Sequence, residues 1–125
     1  MKAAVCYEFG KPLVVEDVEL APPQKNEVKV RLAATAVCHT DVHQAKGELG
    51  GSLPMVLGHE SSGYVEEVGE GVTLVKPGDT VVVSLLASCG KCQYCAVGLP
   101  HLCVAEWPLN TESRLRNKKD KYWLI

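Results

Sequence analysis

Residues 89–103 run Cys89-Gly90-Lys91-Cys92-Gln93-Tyr94-Cys95-Ala96-Val97-Gly98-Leu99-Pro100-His101-Leu102-Cys103. Two residues separate the first cysteine from the second and the second from the third, and seven separate the third from Cys103. Four thiolates on one loop close a tetrahedron around Zn²⁺ with no other ligand. A closed four-sulfur site leaves no open position, so it holds structure and performs no chemistry. An iron–sulfur cluster also takes four thiolates, but a bacterial ferredoxin run puts its fourth cysteine three residues on, before a proline. Here the gap is seven and Val104 follows, which favours zinc. Two disulfides are the other alternative. Six cysteines in 125 residues is below disulfide-scaffold density, and Cys6 and Cys38 lie far from the cluster. The start, Met1-Lys2-Ala3-Ala4-Val5, has no signal-peptide apolar stretch, so reduced thiols in a cytoplasmic protein are expected.

A chain of this length makes one domain with a modest core. Hydrophobic content of 46% and charged content of 22% are those of a globular protein. The formal net charge of −2 gives no reason to expect nucleic acid or an anionic membrane as partner. No apolar run approaches the roughly 20 residues of a membrane helix. Aromatic residues are only 6%, so the core must rest on Val, Leu and Ala.

Around the cysteine run the sequence reads as short strands. Residues 1–9, 13–20, 63–68 and 80–85 are β-rich, with turn signals at Gly10-Lys11-Pro12, Ala21-Pro22-Pro23 and Lys76-Pro77-Gly78-Asp79. Residues 26–35 alternate, with Val28, Val30, Leu32 and Ala34 on one face, which predicts a half-buried strand. Thr40 and Asp41 are candidate caps of a short helix running toward Lys46. Residues 47–54 read as loop. Strands this short and closely spaced predict a mainly β domain, barrel-like or sandwich-like, with the cysteine loop as an excursion. The tail from Asn110 to Lys121 is charged and reads as a solvated or frayed segment.

A second cluster lies upstream. Cys38-His39-Thr40-Asp41-Val42-His43 packs a thiol, two imidazoles, a hydroxyl and a carboxylate together, and Gly58-His59-Glu60 follows. Cys38 and His59 are zinc ligands of mixed type, and a site with fewer than four protein ligands keeps a position open for water or substrate. Thr40 can pass a proton along its hydroxyl, and His43 can deliver it to solvent. Asp41 suits acceptance of the second N–H of a ligand histidine. Taken singly, each residue has a plainer role: Cys38 as a small buried side chain, Thr40 and Asp41 as helix caps, the others as surface groups. Their combination points to a metal site.

These residues resemble the zinc-containing alcohol dehydrogenases of the medium-chain dehydrogenase/reductase family. Gly58-His59-Glu60-Ser61-Ser62-Gly63, with Gly69 and Val72, is similar to that family's zinc signature. Cys38-His39-Thr40-Asp41 resembles its first catalytic segment, Gly78-Asp79 its next element, and the four-cysteine loop its structural-zinc lobe. The resemblance implies a GroES-like catalytic domain, a twisted and partly open β-barrel. It covers residues 1–106, with the lobe at 88–104 and a divergent or truncated tail at 107–125. It implies that Cys38 and His59 ligate a catalytic zinc with Glu60 as a nearby ligand, that Thr40 and His43 serve a proton relay, and that His39 lies near the cofactor pyrophosphate. Cys89, Cys92, Cys95 and Cys103 would bind structural zinc. The implied reaction is reversible hydride transfer between a small alcohol and NAD(P).

The chain departs from that family in three ways. A third catalytic-zinc ligand is expected after the lobe, where only Glu106, Glu112 and Asp120 offer oxygen. No Gly-x-Gly-x-x-Gly turn follows a strand, so the Rossmann domain that would hold the dinucleotide is absent from these residues. The C-terminal segment that completes the family's catalytic domain is missing too. The expectation is therefore an N-terminal fragment of such an enzyme, not competent alone, whose exposed apolar edges favour homo-oligomers. The alternative is a zinc-stabilised β-domain serving as an interaction or assembly module.

Overall fold

The computed structural model describes residues 1–86, 88–104, 115–117 and 122–123. Among the described residues, eight strands fall in two sheets: β1 (Lys2–Cys6), β2 (Val14–Leu20), β3 (Val28–Thr35), β4 (Met55–Val56), β5 (Ser61–Val68), β6 (Thr80–Val83), β7 (Leu115–Asn117) and β8 (Tyr122–Trp123). The first sheet has the order β4-β1-β2-β7-β8 and the second β3-β5-β6. All the pairings are antiparallel. The sheets stay open and form no closed barrel among the described residues.

The core sits under the first sheet. Val5 and Val18 are fully buried with Ala3 beside them, and Leu20 and Val56 pack against that cluster. Each valine contributes roughly 1.5–3 kcal/mol by leaving water. Cys6 is buried in β1 as well. The second sheet is far more open: Leu32, Val82 and Val83 are exposed along it.

The predicted alternation of 26–35 fails in β3, where Val30, Leu32 and Ala34 do not share a buried face. Residues 31–35 are exposed on both faces of the strand, because neither face is covered there by a second layer among the described residues. The pairing with β5 is also irregular at two points, with Glu66 extra in β5 and Ala33 extra in β3. Gly63 explains how tightly these strands meet. A Cβ on Gly63 would lie 2.2 Å from the Arg31 carbonyl oxygen, so β5 approaches β3 here only because the side chain is missing.

Helix α1 (His39–Lys46) begins one residue earlier than its expected caps. Cys38 is the N-cap, and Asp41, three residues on, reaches back so that the Cys38 amide donates to its Oδ2 at 2.9 Å. That is the capping-box pattern with a cysteine in the place of Ser or Thr. Gly47 ends the helix at φ +82°, and a Cβ there would lie 2.8 Å from the Phe9 ring. The Gly10 amide donates to the Ala45 carbonyl at 2.8 Å, which ties the helix end to the β1–β2 turn.

The cysteine stretch carries a short helix, α2 (Gln93–Ala96), and a 3₁₀ turn (Pro100–Leu102) that the sequence pattern did not indicate. Within the charged tail, read from sequence as a solvated or frayed segment, β7 pairs with β2, and β8, just beyond it, pairs with β7. Glu106, Glu112 and Asp120, considered as oxygen ligands, lie outside the described residues.

Candidate metal centres

The four cysteines converge. The sulfurs of Cys89, Cys92, Cys95 and Cys103 all lie within 4.8 Å of one another. A Zn–S length of 2.3 Å in a tetrahedron puts sulfurs about 3.8 Å apart, so the cluster has the size of a filled site. None of the cysteines is in a disulfide. Local backbone builds the cage. Cys92 caps α2, with the Ala96 amide on its carbonyl at 2.9 Å. The Gly98 amide donates to the Cys95 carbonyl at 3.1 Å, and the Cys89 amide donates to Cys103 Sγ at 3.3 Å.

The sulfurs differ electrostatically. Backbone amides of Cys95 and Val104 aimed at Cys92 bring its thiol down to about 6. The amides of Lys91 and Cys92 lower Cys89. Burial, followed by the Cys92 contact, pushes Cys95 up to about 11. Four sulfurs this close cannot all ionise without a cation among them, because neighbouring like charges oppose ionisation. The donor set therefore fits zinc. His101 is exposed on the 3₁₀ turn and is not one of this group.

The second centre joins two separate elements. Cys38 stands at the start of α1, and His59 and Glu60 immediately precede β5. One ligand atom from each of these three lies within 4.8 Å of the others. The strand pairing does the joining: the Ala36 amide and Thr35 Oγ1 both donate to the Glu60 carbonyl, at 2.8 and 3.0 Å. Asp41 then locks the pair from behind. Its Oδ1 is 3.2 Å from His59 Nδ1 while its Oδ2 holds the Cys38 amide. Both side chains are largely shielded, at 16% and 14% exposure. With Nδ1 turned to a carboxylate, Nε2 is the lone-pair nitrogen left for a metal.

Charges in the centre support each other. The Thr40 hydroxyl, 3.4 Å from Cys38 Sγ, lowers the Cys38 thiol, helped by the Thr40 amide and by His59. His59 is raised, first by its contact with Cys38 and then by the Asp41 carboxylate. A thiolate, an imidazole and an exposed carboxylate make three donors. That set fits zinc with a position to spare. An open cleft of about 660 Å³ adjoins His59 and Glu60, walled by Ala34, Ser62, Val82 and Leu85.

Thr40 and His43, three apart on α1, lie on one side of the helix. His39 is exposed at the first helical position, its ring centroid 4.8 Å from that of His43. Glu48, which sequence reasoning passed over, has its carboxylate at His43 Nδ1. The available signal was Gly47: a glycine cap turns the next residue back over the last turn.

An open β domain with one closed and one open zinc-type centre defines a class, and comparison with known proteins gives the family. Residues 24–114 match the alcohol dehydrogenase GroES-like domain family, and the chain belongs to it. It is 53% identical over 103 residues to "Alcohol dehydrogenase class-3" of Pisum sativum, covering 82% of this chain and 27% of that protein. The chain thus spans about a quarter of the length of this relative. Among solved structures, it is similar to an alcohol dehydrogenase zinc-binding domain protein from Burkholderia ambifaria, at TM-score 0.91 and 35% identity over 98% of this chain and 35% of that one. Benzyl alcohol dehydrogenase from Acinetobacter calcoaceticus follows, at TM-score 0.82 and 35% identity over 98% of this chain and 33% of that one.

Proposed function

We propose that this chain forms the zinc-holding part of an alcohol dehydrogenase that oxidises a small alcohol to an aldehyde or ketone with NAD(P). The observation that carries this reading is the open Cys38/His59/Glu60 centre beside a cleft, locked by Asp41. Cys38 and His59 would hold the catalytic zinc, with Glu60 as a third donor, and Cys89, Cys92, Cys95 and Cys103 the structural one. Bound zinc supplies Lewis acidity that eases loss of the alcohol proton. Asp41 keeps His59 in the ligating orientation. Thr40 takes up the hydroxyl proton and passes its own outward, and His43 carries it toward solvent. His39, at the exposed start of α1, would meet the dinucleotide phosphates. These 125 residues hold no nucleotide-binding glycine turn and are not expected to turn over alcohol alone.

Cobalt substitution tests the open centre. Adding a small primary alcohol or imidazole to the Co²⁺-loaded chain should shift the visible bands, and Cys38→Ser should abolish that shift. An unchanged spectrum would contradict an open site. NAD(P)-linked alcohol oxidation by the chain alone would overturn the claim that it does not turn over by itself.

A further inference from the structure

Beyond the ligand set, we propose that Glu48 is a positioning residue for His43, fixing which ring nitrogen is free to receive a proton. The inference rests on the reading above for its purpose, but its geometry stands apart. Gly47 closes α1 in the left-handed region, and the Phe9 ring packed against it leaves no room for a side chain. The turn brings Glu48 back over the last helical turn, where its amide donates to the His43 carbonyl at 3.0 Å. The carboxylate then meets His43 Nδ1, so Glu48 is anchored to one residue by backbone and side chain together. Pairing with His43 holds the Glu48 carboxyl below the usual carboxylate range. Lys46 and His39 are the other charged or titratable groups that face Glu48.

Both partners are about half exposed, and exposed ion pairs add little to stability. The chemical consequence is larger. A carboxylate on Nδ1 keeps the proton there and leaves the Nε2 lone pair as acceptor. A proton arriving at Nε2 makes an imidazolium whose charge Glu48 neutralises. That Nε2 proton then leaves to water or buffer, so the ring returns to its starting form and Glu48 is never protonated. Asp41 does the same for His59, so α1 supplies one member of each of two carboxylate–imidazole pairs. One aims at the metal centre and the other at solvent.

The test is ¹⁵N NMR of the histidine-labelled chain at about pH 8.5, where an ordinary imidazole is neutral. His43 should show the Nδ1-protonated tautomer. Glu48→Ala should convert it to the Nε2-protonated form that free imidazole favours, and Glu48→Asp should restore part of the original signal. In the converse variant, His43→Gln, the Glu48 ¹³C carboxyl titration should return to the usual glutamate range. Backbone amides of α1 report that each variant is folded. An unchanged His43 tautomer in folded Glu48→Ala, or an unmoved Glu48 titration in His43→Gln, would overturn the proposal. Neither readout needs turnover, so failure of the dehydrogenase reading leaves this result interpretable, and failure here leaves that reading intact.

Discussion

The four-cysteine lobe and the Cys38/His59 centre use related donors but are built in opposite ways. All the lobe's ligands lie on one continuous loop, and a short helix and a 3₁₀ turn fold it back on itself. The second centre draws Cys38 from a helix cap and His59 with Glu60 from the approach to β5, so it exists only if β3 and β5 pair in register. The lobe offers four sulfurs, enough to close a tetrahedron around zinc; among the described residues the other centre offers three donors, beside a cleft. A closed site is a fold-stabilising device, whereas an open one depends on the fold for its shape.

The largest expected effect separates them at the lobe. Structural zinc supplies much of the folding energy of such small loops. Cys92→Ser should therefore strip the lobe of zinc and of amide-exchange protection across 88–104. Protection in β3 and β5 should survive, as hydrogen exchange would show; uniform loss across both regions would mean that the two are one cooperative unit. The reverse experiment strains the other centre's scaffold. Gly63→Ala forces a Cβ against the Arg31 carbonyl and should cost about 1–3 kcal/mol in urea unfolding, with the lobe's zinc retained.

A subtler variant acts on the second centre without touching its ligands. Asp41→Ala removes both the His59 partner and the acceptor for the Cys38 amide. Metal affinity there should fall about 10–100-fold, the usual consequence of losing the carboxylate behind a ligand histidine. Competition with a graded chelator measures it, and the lobe's affinity should not move.

The smallest effect concerns neither metal. In the turn before β6, the Lys76 amide and ammonium each lie 3.0 Å from an Asp79 carboxylate oxygen and hold that carboxyl below the usual range, the amide most strongly. The folded state thus prefers ionised Asp79. Its contribution is full above an ordinary carboxylate pKa of about 3.9 and disappears as pH falls through the lower folded value. Asp79→Asn should flatten that part of the acid limb of thermal stability and leave both zinc centres unchanged. A steeper acid limb in the variant would reverse the sign of this account.

Legibility followed the same division. The lobe could be read directly because its ligands are neighbours in sequence and their spacing alone suggests a tetrahedron. Cys38 and His59 could be nominated as donors, but their meeting rests on strand register, and the β3–β5 pairing carries two irregularities, an extra Glu66 in β5 and an extra Ala33 in β3, that the alternating residues conceal. Asp41 was legible as a partner for a ligand histidine; its second bond, to the Cys38 amide, was not, because the helix was expected to begin at Thr40 or Asp41. Glu48 was missed because it follows the helix and returns only through the geometry of Gly47. The tail strands were missed because β7 is recruited by β2 and not by any pattern of its own.

Zinc per chain, by elemental analysis of the parent, Cys92→Ser and His59→Ala proteins, tests the central claim most directly. The account predicts two zinc ions in the parent and one in each variant, with the zinc left in Cys92→Ser the first to yield to chelator. A single zinc in the parent, abolished by Cys92→Ser and indifferent to His59→Ala, would contradict it.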